Sequence, residues 1–455
     1  MNEVIKKWYE EHEQSVRDWA LDIWRNPEIS MEEYHACEVT AAIMKQHGFS
    51  VEVFNCKDPS LPPNTVVATW GSGKPVIGFV GEYDGLPGMG QESVPYRASK
   101  EGPGHGCGHS LMTPSCGSAA IALKAAMEAE GLQGTIKFFA CPAEESGEGK
   151  MYMAHKGVFE GVDCCMAWHP ESVNLQIREQ LQTTNCSLKV EFFGTAAHAS
   201  AYPERGRSAL DACELMNVGM NYMREHMETT SRVHYSYLAA GEKPNIVPDY
   251  AALHYFVRAK DVKSNFALLE RMKKCAQGAS LMTETDYKIT VIAHTPGCIQ
   301  VNGFNRFFYE AAAKIPPLTY DEDEMAFAKE LFKNVNGRDP EPGESPAFTD
   351  ILAPTGTPEY SAGSTDSGHI SHCVPTSRLR GWGMVKGSPS HSWGYVAAAG
   401  HSIGLKGALY AGMAQAQCGY EIMKDPAVIA PWRADWEAQL AAEGSLKPLL
   451  PGELK

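Results

Sequence analysis

The sequence predicts an α/β protein, in which a ferredoxin-like α+β domain is inserted into a doubly wound, mostly parallel sheet. Three short apolar runs in the first part of the chain lack the alternation of apolar and polar residues, which is typical of strands buried on both faces. Further along, the pattern becomes strand–helix–strand–strand–helix–strand, the ferredoxin-like order. These observations indicate a main domain formed by residues 1–185 and 298–455 and an inserted domain over residues 186–297.

Each predicted strand of the main domain leads into polar side chains. The strands are expected over Val76 to Gly81, Thr135 to Cys141 and Val162 to Trp168, with an Ala-rich helix over Pro114 to Glu130. Ligands of such sheets bind beyond the carboxyl ends of the strands, so we expect the polar clusters to share one cleft. The clusters are Glu82-Tyr83-Asp84, Pro142-Ala143-Glu144-Glu145 and His169-Pro170-Glu171.

The remaining elements follow from hydrophobic periodicity. The inserted domain is expected to contain strands over residues 187–194, 233–239, 250–259 and 287–293 and helices over 207–227 and 264–277. The last third of the chain has helical patterns over residues 304–314, 321–335 and 397–423, with a Gly/Pro/Ser/Thr-rich stretch over 336–375.

The composition excludes several classes of protein. The 455 residues are 44% apolar and carry a net charge of −15, so a nucleic-acid partner, which would need a basic surface, is not expected. No apolar run approaches the roughly 20 residues of a membrane helix, and the N-terminus lacks the apolar core of a secretory signal. The 13 cysteines are scattered and odd in number, which indicates reduced thiols. The sequence therefore predicts a cytoplasmic globular protein without a membrane partner.

The glycine-rich segment from Gly104 to His109 is a candidate metal site. Cys107 and His109 stand two residues apart with little side-chain bulk around them. A thiolate and an imidazole together suit a borderline-soft cation such as Zn²⁺. Taken alone, the segment can also be a glycine-rich turn with incidental polar residues.

Other fragments give this segment partners. Glu144 and Glu145 leave a predicted strand in different directions, so one carboxylate can bind an ion while the other takes a proton from a water. His169 and His391 are isolated histidines in polar surroundings. Alone, the acidic pair can be a solvated strand end and His169 a core histidine. Together the fragments indicate one metal centre, and the sequence contains neither a Gly-x-Ser-x-Gly nor a His-Glu-x-x-His motif.

Eight stretches, in order over nearly the whole chain, carry a resemblance to a known family. The sequence resembles the M20 metallopeptidase and amidohydrolase family, in the branch that holds hippurate hydrolases and auxin-conjugate amidohydrolases. Within that branch it is most similar to the aminobenzoyl-glutamate utilization protein B type. The stretches are residues 81–88 (GEYDGLPG), 105–109 (HGCGH), 142–145 (PAEE), 167–170 (AWHP), 193–199 (FGTAAHA), 243–248 (KPNIVP), 363–366 (GSTD) and 390–393 (SHSW).

The resemblance implies that the main domain is catalytic and holds two divalent metal ions, Zn²⁺ or alternatively Mn²⁺ or Co²⁺. Glu144 would act as the general base, and Asp84 would orient one of the metal ligands. The implied ligands are Cys107, His109, Glu145, His169 and His391.

The resemblance also gives the inserted domain a role as a lid and dimerisation domain. His198 would stabilise the oxyanion of the tetrahedral intermediate in an active site, that of the partner subunit, and Asn245 would orient the substrate. Without the resemblance, His198 is more simply a surface histidine at a strand end. We expect a homodimer, with a hetero-oligomer as the alternative. Two residues depart from the family pattern, Ser110 in place of an aspartate and His369 in place of an acidic residue.

The expected activity is metal-dependent hydrolysis of an amide bond between an aryl or acyl group and an amino acid, as in aminobenzoyl-glutamate. A dipeptidase or aminoacylase with the same centre, a non-catalytic partner subunit and a zinc-structured binding module are the alternatives. A non-catalytic protein should have lost a ligand or the base, and the sequence retains all of them. Arg258 and Arg205 are candidates for binding the substrate carboxylate, although each can equally form a structural ion pair.

Overall fold

The computed structural model describes residues 1–361, 363–443 and 448–454. The chain forms two compact units, which we call the core unit and the inserted unit. The core unit consists of Met1–Gln180, Ile299–Glu359 and Ile370–Ala438. The inserted unit consists of Leu181–Cys298, Tyr360–His369 and Gln439–Lys455.

The helices and strands have the following bounds. The α-helices are α1 (Glu3–Arg25), α2 (Tyr34–Gln46), α3 (His109–Glu130), α4 (Gly149–His155), α5 (Ala209–Met223), α6 (Val262–Thr283), α7 (Asn302–Ala312), α8 (Glu322–Asn336), α9 (Ser367–Ser371), α10 (Trp393–Ala399), α11 (Ser402–Lys424) and α12 (Ile429–Ala442). The strands are β1 (Ser50–Phe54), β2 (Thr65–Ser72), β3 (Val76–Glu82), β4 (Gly134–Cys141), β5 (Cys164–Glu171), β6 (Leu175–Ile177), β7 (Gln180–Gln182), β8 (Thr184–Phe193), β9 (Arg232–Ala239), β10 (Tyr250–Ala259), β11 (Asp286–Thr295), β12 (Ile351–Leu352), β13 (Glu359–Ser361), β14 (Thr376–Gly383) and β15 (Gly452–Glu453). Among the helices of the described residues, none has both the length and the apolar character needed to cross a membrane.

The core unit is built on an eight-stranded mixed sheet in the order β1-β2-β4-β3-β5-β14-β6-β12. Its four central strands, β4, β3, β5 and β14, run parallel. Successive residues of β3 face opposite layers, since the Phe79 ring lies against Gly419 of α11 while Val80 packs with Phe139 and Cys165. Burial on both faces explains why the apolar runs of these strands do not alternate. The predicted α/β class with a mostly parallel sheet is confirmed.

Two predicted boundaries in the core unit were wrong. Strand β5 continues to Glu171, so His169 lies within the strand and not beyond its end. The single long C-terminal helix is two helices, α10 and α11, which separate at Gly400. A Cβ atom on Gly400 would lie 2.4 Å from the Trp24 ring, and the Trp24 indole donates to the Val396 carbonyl at 2.8 Å. The close approach of this indole occupies the space in which a side chain would continue the helix.

The inserted unit contains a five-stranded sheet in the order β15-β11-β8-β10-β9. The strands pair antiparallel, and the β11-β8-β10-β9 arrangement with α5 and α6 is the predicted ferredoxin-like fold. Alternate residues of β8, including Leu188 and Phe192, enter a core that also contains Met216 of α5 and Met272 of α6. The outer strand β15, which comes from the C-terminal end of the chain, was not predicted.

The contact between β3 and α3 gives a prediction about stability. A Cβ atom on Gly81 would lie 2.6 Å from the Thr113 Cα and 3.0 Å from its backbone nitrogen, and backbone atoms cannot rotate away. Gly81→Ala should therefore destabilise the core unit by about 1–3 kcal/mol and lower the melting temperature measured by calorimetry. Gly278→Ala, in helix α6 with open space around the new methyl group, is the matched control and should stabilise by about 0.5–1 kcal/mol. An unchanged melting temperature for Gly81→Ala would contradict the packing.

Candidate metal centre

The candidate residues of the core unit meet at the carboxyl ends of its parallel strands. Asp84 follows β3, the pair Glu144-Glu145 follows β4, and His169 lies near the end of β5. This arrangement follows from the topology, because the carboxyl ends of parallel strands lie at one edge of the sheet.

The loop before α3 brings in two more side chains. Helix α3 begins at His109, and Gly108 before it adopts φ +79°, a left-handed conformation that favours glycine. A Cβ atom on Gly108 would also lie 2.8 Å from the Pro170 ring. The backbone N–H of His391 donates to the Gly106 carbonyl at 2.7 Å. This bond ties His391 to the loop that carries Cys107 and His109.

Two groups of potential ligand atoms share the sulfur of Cys107. Cys107 groups with His109 and His169 on one side and with Glu145 and His391 on the other. In each group the ligand atoms lie within 4.8 Å of one another. The Cys107 Sγ is 3.3 Å from the His169 Nε2, and the His391 Nε2 is 3.3 Å from Glu145 Oε2.

These donor atoms fit divalent ions. The His109 Nε2 and Glu145 Oε1 atoms are buried without a hydrogen-bond partner, whereas buried polar atoms in proteins are nearly always satisfied. Tetrahedral zinc with bonds of about 2.0–2.3 Å holds its ligand atoms roughly 3.3–3.6 Å apart. The 3.3 Å separations of Cys107 from His169 and of Glu145 from His391 agree with that spacing. Sulfur, nitrogen and carboxylate donors together suit zinc better than a hard cation.

Asp84 orients His109. Its Oδ1 lies 2.9 Å from the His109 Nδ1, which leaves the other ring nitrogen directed at the group of ligand atoms. Its Oδ2 accepts hydrogen bonds from the Ser30 hydroxyl and the Glu145 backbone N–H, each at 2.9 Å. Burial opposes ionisation of Asp84, but the hydrogen bond and charge of His109 outweigh it and lower the pKa of Asp84 to about 2. The ionised carboxylate is the form that fixes the ring.

The two adjacent glutamates have different surroundings. Ala143 before them has φ +55°, and its N–H donates to the buried Glu33 carboxylate at 2.7 Å. After this turn Glu145 groups with Cys107, while Glu144 groups with His109 instead. Burial raises the pKa of Glu145 to about 8, and burial together with nearby carboxylates raises the pKa of Glu144.

Sequence reasoning missed a buried ion pair beside the glutamates. The Lys150 ammonium, on α4, is fully buried and lies 2.7 Å from the Glu82 Oε1. Although burial opposes ionisation of Glu82, the charge of Lys150 and then of His109 keeps its pKa below the usual range. Glu82 ends the same strand that leads to Asp84 and could have been found by the same argument. Lys150 carried no sequence signal, because one lysine in a helix is ordinarily exposed.

The candidates of the inserted unit lie together on its surface. His198 and Asn245 are both exposed, and the Ala199 N–H donates to the Asn245 carbonyl at 3.0 Å. His198 Nδ1 accepts from the Ala201 N–H at 3.2 Å, which fixes the ring to its own turn. The two side chains are therefore presented by adjoining loops of one unit.

The remaining candidates have ordinary surroundings. Arg205 is 72% exposed and lies over the Tyr202 ring at 4.7 Å. Arg258 is half-buried, with its guanidinium 5.6 Å from the Phe256 ring centre. Both belong to the inserted unit, as does the buried His369, whereas Ser110 is buried in the first turn of α3 in the core unit.

Comparison with known proteins agrees with the fold and the site. The family model of peptidase family M20/M25/M40 matches residues 78–391. The chain is 32% identical over 440 residues to the p-aminobenzoyl-glutamate hydrolase of Escherichia coli K12 (the subunit designated B), covering 91% of this chain and 90% of that protein. It is 31% identical over 290 residues to the Xaa-Arg dipeptidase of Mus musculus, covering 60% and 61% of the two chains. A dinuclear metal-binding peptidase of the M20 family from Bacillus subtilis has the same fold, with a TM-score of 0.63 and 17% identity over 91% of this chain and 99% of that one.

The fold and these matches define a hydrolase that acts on amide bonds. The chain belongs to peptidase family M20/M25/M40.

Loading the centre with metal should release protons. Burial raises the pKa of the Cys107 thiol to about 12 and that of Glu145 to about 8, so both are protonated at pH 7 in the metal-free protein. Burial lowers the pKa of His169 to about 4, so that ring is already neutral. Because a bound ion requires the thiolate and the carboxylate, Zn²⁺ binding at pH 7 should release more than about one proton per protein.

Calorimetric titration in buffers of different ionisation enthalpy would measure this release. Repeating the titration at pH 9.5 is the internal control, because Glu145 is then ionised and fewer protons should be released. A release that does not fall as the pH rises through 8 would show that Glu145 is not a ligand.

Proposed function

We propose that this protein is a metal-dependent amidohydrolase that cleaves the amide between an aryl or acyl group and an amino acid, in the manner of aminobenzoyl-glutamate. The observation that carries this proposal is the Glu144 carboxylate, half-buried beside two groups of ligand atoms that share Cys107. The similarity over 91% of the chain to part of a p-aminobenzoyl-glutamate hydrolase supports the substrate class.

In this proposal the core unit holds two divalent ions, with Zn²⁺ favoured by the donor set and Mn²⁺ or Co²⁺ as alternatives. When bound, the ions would lower the pKa of a water and polarise the carbonyl oxygen of the amide. The similar fold of a dinuclear metal-binding peptidase agrees with two ions. The ligands would be Cys107, His109, Glu145, His169 and His391.

Glu144 is the proposed general base. Its carboxylate takes a proton from the attacking water and later delivers it to the leaving nitrogen, which requires a carboxyl that exists in both forms near neutral pH. The upward shift in the pKa of Glu144 caused by burial serves this role. Asp84 acts through His109, whose ring it holds at 2.9 Å, and is a positioning residue.

His198 and Asn245 are proposed to act from the inserted unit. The His198 ring would donate a hydrogen bond to the oxyanion of the tetrahedral intermediate, in the active site of a partner subunit, and Asn245 would orient the substrate. The inserted unit would then serve as lid and dimerisation domain of a homodimer. A hetero-oligomer is the second candidate, since two relatives from Escherichia coli are named as different subunits of one hydrolase.

A dipeptidase activity is the second candidate function. It is favoured by the 31% identity to a Xaa-Arg dipeptidase, although that match covers 60% of the chain. A cytoplasmic location is part of the proposal and is supported by the cysteines, since all 13 are free thiols.

A substrate panel tests the function. Enzyme stripped of metal and reloaded with Zn²⁺, Mn²⁺ or Co²⁺ should hydrolyse N-aroyl-glutamates faster than other N-acyl amino acids and faster than Xaa-Arg dipeptides. Turnover of dipeptides alone would keep the chemistry and move the specificity. Two bound ions without turnover of any substrate would refute the proposal and favour a non-catalytic partner protein.

Exchanging each glutamate for glutamine separates the base from the ligand. Glu144→Gln should lower kcat by about 10²–10⁴-fold with metal content retained, because the amide cannot carry the proton. Glu145→Gln is the matched control and should lose bound metal, measured by elemental analysis of the dialysed protein. If Glu144→Gln lost metal while Glu145→Gln kept it, the two roles would be exchanged.

A further inference from the structure

We propose that Arg178 and Arg380 form the subsite for the free carboxylate on the amino-acid half of the substrate. This inference rests on the proposed function and adds the residues that determine its specificity for an acid. Both arginines lie in the core unit, beside His169.

The topology of the sheet brings Arg380 next to the candidate metal centre. Strand β14 runs parallel to β5, and in this register Arg380 is the partner of His169. The Arg380 Nη1 lies 3.2 Å from Glu171 Oε2, and the Arg178 Nη2 lies 3.3 Å from Glu171 Oε1. The His169 Nδ1 is 4.0 Å from Glu171 Oε1. Two guanidinium groups and one carboxylate thus adjoin a proposed metal ligand.

The cluster carries more positive than negative charge. Guanidinium groups stay protonated in proteins, and within the described residues Glu171 is the single carboxylate paired with either arginine. One positive charge is therefore left without a counter-ion. Because two guanidinium groups present parallel N–H donors, they can hold a second carboxylate in addition to Glu171.

Arg380 has a donor that lacks an acceptor. Its Nε atom is buried without a hydrogen-bond partner, while the Arg178 Nε donates to the Gln180 Oε1 at 3.3 Å. Leaving a buried charged donor unsatisfied is costly, and a carboxylate from a ligand would remove that cost. The side chains of Arg178 and Arg380 are 18% and 21% exposed, so a small molecule can reach them.

The position suits the chemistry of the substrate. In an N-acyl amino acid the carboxylate sits on the carbon that bears the amide nitrogen, so it lies close to the bond that is cleaved. The His169 Nε2, at 3.3 Å from the Cys107 sulfur, belongs to the proposed metal centre, and Arg380 occupies the next strand. A substrate held by the arginines would therefore have its amide near that centre.

The test compares an acid with its amide. For the N-acyl amino acid that the metal-loaded enzyme hydrolyses fastest, kcat/KM is measured for the free acid and for its C-terminal carboxamide. Arg380→Gln and Arg178→Gln should each lower kcat/KM for the acid about 30-fold or more, mainly through KM, and leave the carboxamide unchanged. Arg380→Lys should keep part of the preference for the acid. Arg306→Gln, which removes an exposed arginine paired with Glu310, is the matched control and should change neither substrate.

Two further measurements separate the ways of failing. If the wild type is active and both glutamine variants keep the ratio of acid to carboxamide, the subsite is refuted and the proposed function stands. An equal loss on both substrates with loss of metal would make the arginines structural supports of His169, which also refutes the subsite. If the wild type hydrolyses no substrate, calorimetric binding of the acid and the carboxamide to metal-loaded Glu144→Gln protein decides, since adding Arg380→Gln should weaken binding of the acid alone and an unchanged affinity would overturn the subsite.

Discussion

The buried carboxylate of Asp84 connects the segments from which the candidate centre is built. It accepts hydrogen bonds from the Ser30 hydroxyl and from the backbone N–H of Glu145, and it holds the ring of His109. Burying a carboxylate is costly unless its oxygens are hydrogen-bonded, and here donors from three distant parts of the chain satisfy them. The orientation of His109 and the path of the chain after β4 therefore depend on one anion, and neither can change without leaving it unsatisfied.

The same edge of the sheet concentrates negative charge. Glu82, Asp84, Glu144 and Glu145 lie there with the Cys107 thiol, and Lys150 is the one lysine among the buried side chains of the described residues. A single ammonium cannot balance four carboxylates at low dielectric, and in the absence of other cations some of them must stay protonated. The raised pKa values of Glu144 and Glu145 express that imbalance, and divalent ions would remove it.

Much of this arrangement could be predicted, because the carboxyl ends of parallel strands meet at one edge and each of these strands carries polar residues there. Asp84 and the Glu144-Glu145 pair follow from that argument alone. The pairing of Lys150 with Glu82 could not be found, since nothing local marks a lysine as buried. The break of the last helix at Gly400 likewise depends on a tryptophan from α1, more than 370 residues earlier in the chain.

Arg380 illustrates a relation that only the sheet register reveals. Strand β5 ends at Glu171 and its neighbour β14 begins at Thr376, with the inserted unit between them in sequence. The insertion leaves the two strands adjacent and parallel, so residues on either side of it face one another across the sheet. The proposed base and four of the five proposed ligands come from the chain before the insertion, whereas Arg380 and His391 come after it. Substitutions on β14 can therefore alter which acid is bound while the strands that carry the base and most ligands stay unchanged.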